Sequence, residues 1–139
     1  KFRDKKTGKI FMAVNTHFDH IGIEARKQSA LLIIEKIREI VGNKPAVVTG
    51  DFNITDQNEA YKTMVSNKFV LKDAYKISPS HGGVHYSFNN YGRIPVEKRI
   101  KIDFIFVTPN IDVIRTGIPM DVQTHSLSDH NPHWADLKF

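Results

Sequence analysis

The chain has 139 residues, 40% of them hydrophobic and 25% charged, with no cysteine and a formal net charge of +5. That length suits one domain with a real core, and the lack of cysteine excludes disulfides and thiolate metal sites. No apolar run approaches the roughly 18 residues needed to span a membrane; Lys1–Lys9 is basic and lacks the apolar core of a signal peptide, and the compartment stays open. The positive charge suits anionic partners such as phosphate esters or nucleic acid, or serves solubility alone.

Lys1–Thr16 reads as a hairpin: Asp4–Gly8 is a turn cluster, and Ile10, Met12 and Val14 alternate after it. A chain that opens straight into a strand reads as the continuation of something longer. His17–Gly22 is a polar loop. Ile23–Val41 carries Ala30, Ile34, Ile37 and Val41 at steps of four, three and four, which predicts an amphipathic helix stopped by Gly42-Asn43. Pro45–Asn53 follows as a short buried strand, with Ala46, Val47 and Val48 apolar without interruption. Gly50 permits a sharp exit, after which Asp51 and Asn53 sit on one side of the chain.

A second helix is predicted near Gln57–Asn67, capped by Thr55 or Asp56, with Ala60, Tyr61, Met64 and Val65 as its apolar face. Phe69–Ser80 has no single period. His81–His85 reads as a flexible loop, Tyr86–Asn89 as a short strand, and Asn90–Lys101 as a basic loop containing Arg93, Lys98, Arg99 and Lys101. Ile102–Val107 is a buried strand interrupted by Asp103, and Ile111–Ile114 is another strand. Asp121–Pro132 is a loop, and Trp134–Phe139 a terminal strand with Ala135, Leu137 and Phe139 on one face. The order predicts helices packed on mixed sheets in one α/β (α+β) domain.

The candidate site residues are oxygen- and nitrogen-bearing groups on strand ends and loops. Asp51 and Asn53 suit a hard cation or a polarised water, and an Asx-turn uses the same residue types. Asp103 is either an outward-facing strand residue or a buried acid that orients and charges a histidine. Ser128-Asp129-His130 offers that histidine, with adjacent side chains free to serve a cation and a substrate separately. His17 and His20 have a spacing found at zinc sites, and His81 and His85 form a looser pair, but neither has a partner pair to complete a site. Arg26 reads as a solvated or salt-bridged surface residue.

Four motifs in order, Asn15-Thr16-His17, Gly50-Asp51-Phe52-Asn53, Ile102-Asp103-Phe104-Ile105 and Ser128-Asp129-His130, run from the first strand to the end of the chain. In them the chain resembles the endonuclease/exonuclease/phosphatase superfamily, the deoxyribonuclease-I-like metal-dependent phosphohydrolases. The resemblance implies a two-sheet β-sandwich flanked by helices, with a site in a cleft at one end. By motif it implies His130 as the catalytic histidine and Asp103 as its partner. Asp51 would orient or deprotonate the attacking water, with Asn53 binding beside it. His17 would donate to the phosphate, and Asp129 would help to hold a divalent cation together with Asp51 and Asn53. The cation implied is Mg²⁺, with Mn²⁺ as a substitute.

The substrate class stays open among nucleic acid, phospholipid and small phosphoesters. The alternative is a non-catalytic anion- or nucleic-acid-binding module that keeps the fold. The family's early asparagine and metal-binding glutamate have no counterpart before His17. The resemblance therefore implies that residues 1–139 are the C-terminal portion of one such domain, poorly active alone and completed by an N-terminal half or partner.

Overall fold

In the computed structural model, which describes residues 1–66, 71–120 and 127–139, the chain forms two sheets and helices. The first strands are β1 (Phe2–Arg3) and β2 (Ile10–His17), an antiparallel hairpin in which Phe2 faces Phe11. Helix α1 (Ile23–Val41) crosses to β3 (Ala46–Asp51), which lies parallel to β2. Then come α2 (Glu59–Ser66), β4 (Lys72–Asp73), α3 (Ala74–Ile77) and β5 (His81–Gly83). The chain ends in β6 (Asp103–Val107), β7 (Asp112–Ile118) and β8 (Trp134–Lys138). One sheet has the order β1-β2-β3-β6-β4 and the other β5-β7-β8.

Strand alternation divides the five-stranded sheet into two faces. Met12, Ala46, Val48, Phe104 and Phe106 face the helices, where they join Ile34, Ile37, Tyr61 and Met64 in the main core. Phe52 stands edge-on to Phe18, Phe104 and Phe106, with ring centroids 4.8–5.9 Å apart, a geometry favoured by the ring quadrupoles. The alternate residues Val47, Ile105 and Val107 face the other sheet and pack with Val113, Ala135 and Leu137 in a second, smaller core. A sheet packed on a sheet, with helices outside, is the predicted sandwich.

Helix α1 has the bounds that its periodicity predicts, and Gly42 closes it at φ +58 with its N–H donating to the Arg38 carbonyl. Several expectations need correction. Gly50 is not an exit turn: it lies inside β3 at φ +150, paired with Thr16 and Phe104. A Cβ there would lie 1.8 Å from the Thr16 carbonyl oxygen, so glycine is required for close strand approach. Helix α2 is capped by neither Thr55 nor Asp56. Asn58 caps it, its Oδ1 accepting from the Ala60 N–H at 2.9 Å and its carbonyl from Lys62.

His81–Gly83 is not a loop but strand β5, paired in parallel with β7. Tyr86–Asn89 is not a strand; Phe88 alone makes isolated bridges, to Ile100 and His130. The side chains explain the second reversal: Ser87 and Asn89 are buried and turned to hold neighbouring loops. Arg26 is not a surface residue. It is 8% exposed, and its guanidinium donates to the Asp19 carbonyl at 2.9 Å. Of the expected Asp121–Pro132 loop, residues 121–126 lie outside the described residues, as do 67–70 of the stretch after α2.

Candidate active site

Register brings the site together. In the parallel β2–β3 pair His17 faces Asp51, and in the antiparallel β3–β6 pair Asp51 faces Asp103. All three fall on the inter-sheet face, because each is an even number of strand positions from Ala13, Val47 or Ile105. Two carboxylates directly opposite one another repel unless a positive group lies between them. His130 fills that place. Its Nδ1 donates to Asp103 Oδ2 at 2.7 Å, and its Nε2 lies 3.7 Å from Asp51 Oδ2.

The Asp103 hydrogen bond lifts His130 above the ordinary histidine range; burial opposes this, and the charges of Asp103, Asp51 and Asp129 add to it. His17 is largely exposed, with Nε2 3.4 Å from Asp51 Oδ2. Asn53 sits at φ +50 just beyond β3, and its N–H donates to Asp51 Oδ1 at 2.8 Å. The turn reading and the site reading of this pair therefore coexist. Asn53 Nδ2 donates to the Phe18 carbonyl, tying the two loops together.

Asp51, Asp103 and His130 each offer a ligand atom within 4.8 Å of the others. Asp129 is outside that group; it lines an adjoining pocket with His17, His20, Asn53 and His130. Since Asp103 and His130 are committed to each other, Asp51 is the carboxylate best placed for a cation. A hard cation such as Mg²⁺ is commonly held by one or two carboxylates, with waters and substrate phosphate supplying other oxygens, so this donor set fits it.

Several supporting residues escaped the sequence reading. Ser87 Oγ accepts from the backbone N–H of Asp103 at 3.1 Å, while its carbonyl accepts from Asn131. It thus pins the loop of His130 against the strand of Asp103. Asn89 Nδ2 donates to Asn131 Oδ1 at 2.8 Å, and the Asp129 carbonyl accepts from both Asn89 and Asn90. His133 packs beneath, its Nδ1 3.3 Å from the Asp103 carbonyl and its Nε2 3.1 Å from Thr116 Oγ1. Burial pushes it down to about 4, so it is neutral at pH 7. No local pattern marks these residues, because their partners lie far away in the chain.

The arrangement can hold an anion between a histidine donor and a carboxylate able to orient water. Residues 3–130 match the endonuclease/exonuclease/phosphatase family. Among solved structures, the chain is similar to an endonuclease/exonuclease/phosphatase from Bacteroides vulgatus: 62% identity, TM-score 0.95, covering 98% of this chain and 52% of that one. It is also similar to a mannosyl-6-phosphatase from Bacteroides thetaiotaomicron, at 37% identity and TM-score 0.86, covering 99% and 54%. The human nocturnin catalytic domain, at 22% identity and TM-score 0.71 over 99% and 50%, shares the fold. No curated protein matches the chain. The chain spans about half the length of these solved structures. Sequence, fold and motif order agree: the chain belongs to the endonuclease/exonuclease/phosphatase family.

Proposed function

We propose that the chain is the C-terminal portion of a divalent-metal-dependent phosphoester hydrolase in which water attacks phosphorus directly. The observation that carries this reading is His130 lying between Asp103 and Asp51 at the joined ends of β3 and β6. Asp51 would hold Mg²⁺, with Asn53 and Asp129 beside it. A bound cation would withdraw charge from the phosphoryl oxygens and make a bound water more acidic. His130, its cationic form favoured and its ring aimed by Asp103, donates to the phosphoryl group as charge builds there. His17 donates from the opposite side, and Asp51 Oδ2 accepts a proton from, or orients, the attacking water.

The reading of an incomplete domain is supported by the chain's spanning about half the length of the solved structures that it matches. The site opens on a cleft of about 740 Å³ formed by β2, β3, β6 and residues 127–133. A preceding half of the domain would supply further metal ligands.

A nucleic-acid track along the basic loop is weakened by its own contacts. Lys101 is paired with Asp73, and Arg99 donates to Tyr86 Oη and the Ile94 carbonyl. The likeness to a mannosyl-6-phosphatase makes sugar phosphates the first substrates to try. The test is Mg²⁺-dependent turnover by the full-length protein on mannose 6-phosphate, plasmid DNA, short RNA and sphingomyelin. Turnover lost in Asp51→Ala supports the hydrolase. A folded protein that turns over none of them but binds DNA in a salt-sensitive way would favour the binding module.

A further inference from the structure

Beside the candidate active site lies a second cavity of about 500 Å³ at the same end of the sheet. Its position follows from topology. Strands β3 and β4 both run antiparallel to β6 and so exit at the end where β6 begins. The cavity gathers Thr55 and Asp56 from beyond β3, Tyr75 and Lys76 from beyond β4, and Lys101 from just before β6. Ile100 lines both this cavity and the pocket containing Asp51, Asp129 and His130, and forms the ridge between them.

The lining is held in place before any ligand arrives. Lys101 Nζ lies 3.3 Å from the buried Asp73 carboxylate and rests over the rings of Tyr75 and Phe104 at 4.6 and 4.2 Å. Asp73 also accepts from Tyr61 Oη and the Tyr75 N–H. Tyr75 Oη meets His85 Nδ1 at 2.8 Å, and the second ring nitrogen of His85 has no partner among the described residues. Lys76 Nζ lies 2.9 Å from Asp56 Oδ2.

Charge decides what such a cavity accepts. Each ammonium has its own carboxylate, Lys76 that of Asp56 in the lining and Lys101 that of Asp73 buried behind it, so neither is left unmatched for a second phosphate, and Asp56 repels one. What remains is a mixed set of carboxylate, ammonium, hydroxyl and imidazole groups. That set matches vicinal hydroxyls, each able to donate to a carboxylate and accept from an ammonium. We propose that this cavity is a subsite for the hydroxyl-bearing sugar portion of the phosphoester substrate, reached over Ile100. This assignment rests on the hydrolase reading for its link to the phosphate, but the binding itself does not.

The test uses the full-length protein and neutral methyl glycosides of mannose, glucose and galactose, followed by amide shifts in NMR. The expected result is saturable binding of at least one glycoside, with shifts at Asp56, Tyr75, Lys76 and His85. Losing a hydrogen bond to a charged group typically weakens binding roughly tenfold or more. Asp56→Asn and Lys76→Gln should each weaken glycoside binding by about that factor. They should also raise KM for the matching sugar phosphate while leaving p-nitrophenyl phosphate turnover unchanged. Absence of binding by all three glycosides, or shifts at these residues from inorganic phosphate instead, would overturn the proposal. Glycoside binding without phosphatase activity would keep the sugar site and remove the hydrolase.

Discussion

Two carboxylates on the same sheet, Asp73 and Asp103, each hold a basic side chain, and they do so in opposite ways. Asp73 is 2% exposed, and its oxygens accept from Lys101, Tyr61 Oη and the Tyr75 N–H. Burial pushes the Lys101 ammonium down, with Asp73 opposing. Burial and the same carboxylate push the Tyr61 phenol up. Asp103 instead opens on the cleft and, among the described residues, its side chain makes one short bond, to His130. A carboxylate with its partners saturated supports structure. One with a single basic partner facing solvent retains the capacity for chemistry.

The largest expected effect is on Asp103. In the full-length protein, Asp103→Asn should lower kcat/KM by about 10²–10⁴-fold, the usual worth of general acid–base assistance. At a pH above the raised His130 range its unfolding free energy should change little, and the His130 ring should titrate lower by NMR. The sign follows from the hydrogen bond: Asp103 raises His130, so the stability it lends is fully present below the unfolded histidine range. That stability is lost as pH rises through the raised native value.

Asp73→Ala should do the reverse. Leaving Lys101 buried without its partner is expected to cost about 3–5 kcal/mol in urea unfolding. Adding Lys101→Met should recover much of that loss, because the unpaired charge is then gone. If Asp103→Asn destabilised the fold as much as Asp73→Ala, the contrast between the two carboxylates would collapse.

A smaller effect is expected at His133, which is buried neutral beneath Asp103. Its native value of about 4 lies below the ordinary 6.5, so between them the unfolded chain binds more protons. Stability should therefore be full above pH 6.5 and fall as pH drops toward 4, by roughly 3 kcal/mol at most. Denaturation curves across that range should lose this slope in His133→Asn.

Much of the fold could be read locally. The helical period of Ile23–Val41 and the apolar run at Ala46–Val48 correspond to α1 and β3. The expectation failed where a distant partner decides the outcome. His81–Gly83 forms a strand because glycine lets β5 approach β7 closely: a Cβ at Gly83 would lie 2.0 Å from the Ile118 carbonyl oxygen. Arg26 is buried, with its guanidinium donating to the Asp19 carbonyl. Lys101 looks like part of a basic loop until Asp73, 28 positions earlier, reaches it.

The sequence by itself determined the family, through four motifs in order, and the residue types of the site. Those follow from local chemistry: strand alternation, turn residues and carboxylates at strand ends. Only the tertiary structure decided that His17, Asp51 and Asp103 lie side by side and that His130 sits between the two carboxylates. The reason is register. A shift of one residue in either strand pair would turn a site side chain to the helical face, and the apolar core on that face, built from residues far apart in the chain, holds the pairing in place.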